Sequence, residues 1–191
     1  MAPELRKAQL LDCAVIQFSK LGIGGTFHSD VAELAQVSVP TVYSYFPSAD
    51  SLKISVVNVV RDRLINMIEN AALPADSAKQ KLEKVLYAFA QLADDEPKLI
   101  KLWLDWSTII APPTWAAYES FQDEVLKRFT FFITEGINQG TLRRDLNATV
   151  GAHVVMGSGH MIAQMKFRRR DDSLIRKFVE NIVYHALFVT D

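Results

Sequence analysis

Cysteine is almost absent from this 191-residue chain, which carries only Cys13. A single thiol excludes an internal disulfide and fits a reducing compartment. Cys13 falls in an amphipathic stretch, where it reads as a small buried hydrophobe. Net charge is also lacking: the balance is −1, so no whole-molecule field draws the chain onto nucleic acid. No apolar run reaches the ~18 residues that span a bilayer, and residues 1–20 show no signal-peptide core, so the chain reads as cytoplasmic, with no membrane partner. Strand-like alternation is scarce, and no repeat of 20–50 residues or low-complexity tract occurs, which excludes a solenoid. What remains is a chain with 49% apolar and 23% charged residues, enough for a substantial core in one large domain or a small one joined to a larger.

Apolar residues recur at helical spacing nearly throughout, predicting an all-α protein of about nine helices. Leu11, Ala14, Val15, Phe18 and Leu21 share a face of the first helix, which should stop at Gly22. Ser29 reads as the N-cap of a short helix through Val31, Ala32, Leu34 and Ala35. Ser38 caps a third, with Pro40 tolerated in its first turn, and Ser48 opens a long fourth. Pro74, Pro97 and the Pro112-Pro113 pair punctuate the rest. Asp76 or Ser77, Asn147, and Asp172 or Ser173 stand as later caps, the last for a helix through Leu187.

The second and third helices, about 29–36 and 39–46, are separated by a two- or three-residue turn at Val37 and Ser38. So tight a connection fits a helix-turn-helix, whose second helix can enter a DNA major groove. Val42 and Phe46, four apart, should pack inward, leaving Pro40, Thr41, Tyr43, Ser44 and Tyr45 outward. Hydroxyls can contact phosphates and base edges without net charge. Tyr43 and Tyr45 serve either this purpose or that of covering a small core.

The run from Asp30 to Ser48, Asp-Val-Ala-Glu-Leu-Ala-Gln-Val-Ser-Val-Pro-Thr-Val-Tyr-Ser-Tyr-Phe-Pro-Ser, with Leu52 after it, closely resembles the signature of TetR-family bacterial regulators. Ala14, Phe18 and Gly22 fall where that family's first helix has its own. Ala35-Gln-Val-Ser-Val39 and Lys101-Leu-Trp-Leu-Asp-Trp-Ser107 are similar to the LuxR/HapR-type quorum-sensing regulators of vibrios. The resemblance implies a helix-turn-helix head over 1–47 and a helical regulatory and dimerisation body over 48–191. It implies a homodimer, formed by the last two helices of each subunit, reading a palindromic double-stranded operator. Residues implied at DNA are Ser38, Thr41, Tyr43, Ser44 and Tyr45, joined by Arg6, Lys7, Ser29, Val39, Pro40, Ser48 and Lys53 in the head. A pocket for a small apolar or aromatic molecule would involve Leu64, Met67, Ile68, Trp103, Trp106, Gln122 and Leu126, with Phe89, Ser107 and Phe129. The dimer surface would draw on Val154, Ser158, Met161, Ile162 and Met165, and on Phe178, Ile182 and His185. No cofactor and no metal is implied.

Three positions depart from the pattern. Gln36 stands where most such heads place a glycine suited to positive φ, Ala49 where a basic residue is usual, and Ser44 where the vibrio branch carries asparagine. Through residue 53 there are four basic residues against five acidic ones, so the head is itself near neutral. That neutrality motivates a rival reading, an interaction protein or heterodimer partner with a weak DNA-binding head.

Other features have plainer readings. Gly157-Ser158-Gly159-His160 lacks the glycine two residues before the serine that a nucleophile elbow needs, and reads as small residues at a dimer seam. His153 and His160 lie about 10.5 Å apart along a helix, too far to chelate one metal. An enzyme using His160 with Asp105 or Glu135 would need those groups to converge. Lys166, Arg168, Arg169 and Arg170 end one helix and Asp171 and Asp172 begin the next, the charge order that helix dipoles favour.

Overall fold

Helical periodicity along nearly the whole chain leaves few ways to fold it. The computed structural model describes residues 2–182, and among these it has nine α-helices and no strand. They are α1 (Pro3–Leu21), α2 (His28–Ala35), α3 (Val39–Tyr45), α4 (Ala49–Ala71), α5 (Ala78–Asp95), α6 (Pro97–Trp106), α7 (Thr114–Asn138), α8 (Ala148–Phe167) and α9 (Asp172–Glu180). His185 and Leu187 lie outside the described residues. No described helix is long and apolar enough to cross a membrane.

The helices group into two compact units, one of residues up to Asp62 with Glu96–Ser120, the other of Arg63–Asp95 with residues from Phe121 on. In the first, α1 packs on α2 and α6, and α2 on α3. The buried line of α1 is Leu10, Ala14 and Phe18. This corrects the expected face by one residue: Leu11 and Val15 are half-buried and Leu21 is exposed. Cys13 is likewise half-buried, and burial followed by the charge of Asp12 pushes its thiol pKa up. Gly22 ends α1 at φ 80°, and the ammonium of Lys101 in α6 donates to the Ser19 carbonyl at 2.6 Å, a cation at a helix C-terminus.

In the second unit α5 packs against α8 and α9. The buried side of α8 is mostly small: Gly151, Ala152, Ser158, Gly159 and Ala163, with Val155 and Ile162. These residues let α5 approach closely, as small-residue faces do. Of the Gly-Ser-Gly run, Ser158 and Gly159 are buried and Gly157 is exposed, and Ser158 donates to the Val154 carbonyl at 2.7 Å. Gly136 shows the same crowding in α7, where an added Cβ would lie 2.6 Å from Leu142 and 2.7 Å from Ala78. Lys81, buried, pairs with Glu135 at 3.0 Å and sits 5.2 Å over the Phe132 ring. Lys166 bridges Asp94 of α5 and Asp172 of α9. Burial opposes its charge, yet those two carboxylates raise its pKa. Arg168, Arg169 and Arg170 are exposed, and Asp171 caps α9 through the Ser173 amide at 3.0 Å. The cap thus falls one residue before the expected position.

Candidate nucleic-acid interface

Two short helices cannot hold a shape alone, so the geometry of α2 and α3 follows from how their ends and inner faces are fixed. Helix α2 begins at His28 because the Asp30 carboxylate accepts the Phe27 amide at 2.7 Å. Ser29 is therefore not its cap but an exposed first-turn residue. At the other end Gln36 is left-handed (φ 55°, ψ 46°), and the Val37 amide reaches back to the Ala32 carbonyl at 3.0 Å. That closure satisfies a last-turn carbonyl and turns the chain sharply into α3. Ser38 caps α3 by position, its hydroxyl 2.8 Å from that of Thr41. Ser48 and Ser51 cap α4 reciprocally, each amide meeting the other's hydroxyl at 3.0–3.1 Å.

Val42 and Phe46 face inward, with 0% and 1% of their surface exposed. Val39, Pro40, Tyr43 and Ser44 are exposed, and Thr41 and Tyr45 half-buried. Ser44 donates to the Thr41 carbonyl at 2.7 Å. The outer side of α3 thus presents hydroxyls from a rigidly seated helix. Sequence reasoning missed His28, which is 4% exposed and bonds the Phe46 carbonyl through Nε2 at 2.8 Å. Its ring lies 4.0 Å from that of Tyr43, only 2° from parallel. The signal was present, since 28, 31, 32 and 35 form an i, i+3, i+4, i+7 series.

Positive charge in the first 53 residues is modest. Arg6 bonds Gln9 at 2.8 Å, Lys7 is exposed, and Lys53 lies 3.8 Å from Asp50.

The expected pocket residues are mostly packed core. In the first unit Trp103 and Trp106 are 3% and 0% exposed, and Trp106 donates to the Thr114 carbonyl at 2.8 Å. Ser107 is half-buried and bonds the Leu104 carbonyl at 2.7 Å. In the second, Leu64, Met67, Ile68, Phe89 and Phe129 are all buried, while Gln122 and Leu126 are half-buried. Grooves open there among the described residues. One, of about 640 Å³, is lined by Leu126, Phe131, Thr130 and His153 among others; another, of about 310 Å³, borders Met67.

Of the expected dimer residues, Val154 and Met161 are exposed, and Met165, Phe178 and Ile182 half-buried. Ser158 and Ile162, expected there too, are instead packed in this chain's own core, at 4% and 0% exposure. No cluster of three His, Cys, Asp or Glu groups suited to a metal occurs among the described residues. Glu135, one carboxylate of the enzyme reading, is committed to Lys81.

The chain matches no family model. It is 31% identical over 118 residues to the HTH-type transcriptional regulator LuxR of Vibrio harveyi, covering 62% of this chain and 58% of LuxR. It is 29% identical over 113 residues to the HTH-type regulator BetI of Burkholderia thailandensis, covering 58% of each. The matches thus span less than two thirds of the length of these curated relatives. A TetR-family regulatory protein from Rhodococcus RHA1 superimposes over 100% of both chains with a TM-score of 0.82 at 17% identity. FadR of Bacillus subtilis, a transcriptional regulator solved with stearoyl-CoA, gives 0.80 at 21%, covering 93% of this chain and 97% of its own. These relatives and neighbours are transcriptional regulators, not enzymes, and in its fold this chain is a TetR-type protein.

Proposed function

We propose that this chain is a TetR-type transcriptional regulator that binds a palindromic DNA operator as a homodimer. The observation that carries the reading is α3, whose inward Val42 and Phe46 seat it firmly and whose outward side offers Thr41, Tyr43, Ser44 and Tyr45. Such residues bond phosphate oxygens and base edges as donors and acceptors, so specificity needs no strongly basic head. Val39 and Pro40 add apolar contact, and Ser38, Ser48, Lys53, Arg6 and Lys7 touch the flanking backbone.

Pairing is supported by α8, where Val150, Val154, Gly157 and Met161 form one exposed line at four-, three- and four-residue spacing. On α9 the exposed Leu174 continues into Phe178 and Ile182. The unit that bears these helices also holds buried Phe89, Phe121 and Phe129 and open grooves, which suit modulation by a small apolar or aromatic ligand. FadR, a neighbour in fold, was solved with stearoyl-CoA, whose acyl chain is apolar although its CoA part is not. Likeness to LuxR is the reason to look for its targets among genes that respond to cell density, with the protein acting in the cytoplasm.

The test is selection from sheared genomic DNA at low salt with the full chain. A recurring palindromic fragment supports the reading, and retention without sequence preference contradicts it. A purified protein that shifts DNA only with a second regulator present would favour the heterodimer alternative instead.

A further inference from the structure

Tyr43 is half-exposed on a helix of seven residues, where a lone phenol would sample several rotamers. It is not alone. His28 opens α2, is almost wholly buried, and lays its ring parallel to the Tyr43 ring at 4.0 Å. The same imidazole is anchored at its far end, because Nε2 lies 2.8 Å from the Phe46 carbonyl. A carbonyl oxygen only accepts, so Nε2 carries the hydrogen. One side chain therefore ties the start of α2 both to the carbonyl just past the end of α3 and to the exposed ring in its middle.

We infer that His28 is a positioning residue for DNA recognition: anchored on Phe46, its ring holds the plane of the Tyr43 ring and sets the direction in which the phenol hydroxyl meets a base or phosphate. This rests on the DNA-binding reading above. Ordering Tyr43 before binding removes a cost otherwise met on the duplex, which improves affinity without any new contact. A hydroxyl held in one direction also discriminates between base edges that a mobile one would meet equally.

Two substitutions separate this role from a merely structural one. His28→Gln keeps an amide donor within reach of the Phe46 carbonyl and discards the ring. His28→Phe keeps a ring against Tyr43 and leaves the carbonyl without its donor, a loss that lowers stability. If His28 only braces the fold, His28→Phe is the worse variant in thermal melting and in DNA binding alike. If it positions Tyr43, the melting ranking stays and the binding ranking inverts. His28→Phe melts lower but binds the selected duplex within about threefold of the unaltered protein. His28→Gln melts higher but binds about tenfold more weakly, with relaxed preference at one base pair and unchanged non-specific binding.

The experiment is selection from a random duplex library by the unaltered full chain, followed by titration of the enriched duplex with both variants. Enrichment of a sequence that both variants bind alike, or that His28→Gln binds better, overturns the inference and leaves the regulator reading intact. Failure of the unaltered chain to enrich any sequence overturns both. Should a variant not fold, the Tyr43 ring in the free unaltered protein is read by NMR: a single rotamer supports the inference, and averaging among rotamers refutes it.

Discussion

Gln36 is the residue at which the head carries a measurable penalty. It is exposed and left-handed at φ 55°, in the turn that joins α2 to α3. For an L-residue with a Cβ this conformation costs about 1–2 kcal/mol, which glycine avoids. Glycine in turn loses more freedom on folding, about 0.4–1 kcal/mol. Gln36→Gly should therefore stabilise the protein by about 0.8 kcal/mol, the difference between the midpoints of those two ranges. For a chain of this size that is a rise of roughly 1–4 °C in Tm. The amides of Gln36 and Val37 keep their bonds to the ends of α2, at 3.2 Å to Glu33 and 3.0 Å to Ala32, so the turn itself is preserved. Differential scanning calorimetry measures the shift, and a titration of the selected duplex checks that affinity moves less than about threefold. A lower Tm would refute the reasoning, because it would mean that the Gln36 side chain contributes more than its backbone strain costs.

Phe46→Ala should cost about 3–5 kcal/mol of stability, since the ring is 1% exposed, whereas Tyr43→Ala should barely move Tm yet weaken specific binding; melting and gel shift distinguish them. Met161→Glu places a charge on the exposed line of α8 and should convert the proposed dimer to monomer in light scattering at micromolar concentration, while Ile162→Ala should instead cost about 2–5 kcal/mol of stability, read as a lower Tm. Burial lowers the His160 pKa below its ordinary value, so the folded state favours the neutral ring. That contribution is complete above the unfolded pKa near ~6.5 and is lost as pH falls through the lower folded value. Melting temperature should thus drop on acidification in this range, and the drop should shrink in His160→Gln.

Much of this arrangement was legible before coordinates. Helix number and the inward pair Val42 and Phe46 followed from spacing alone, and the left-handed Gln36 from the glycine that the resemblance led one to expect. What escaped did so for local physical reasons. The start of α2 was misplaced because a carboxylate two residues inside the helix, Asp30, did the capping that Ser29 was expected to do. Sequence cannot tell which neighbour the small residues of α8 serve: Ser158 and Gly159 are buried on a helix that packs against α5, whereas Gly157 stays exposed. The stack of His28 on Tyr43 joins residues fifteen apart on different helices, and no pattern along the chain reports such a pair.

The central claim is that two copies of α3 present their hydroxyl-rich sides to successive major grooves of one duplex. Hydroxyl-radical footprinting on the enriched fragment tests it most directly. Two protected patches on one face, centred one helical turn or about 34–36 Å apart and both lost in Tyr43→Ala, are the predicted result. Uniform protection along the fragment, or a footprint untouched by Tyr43→Ala, would contradict it.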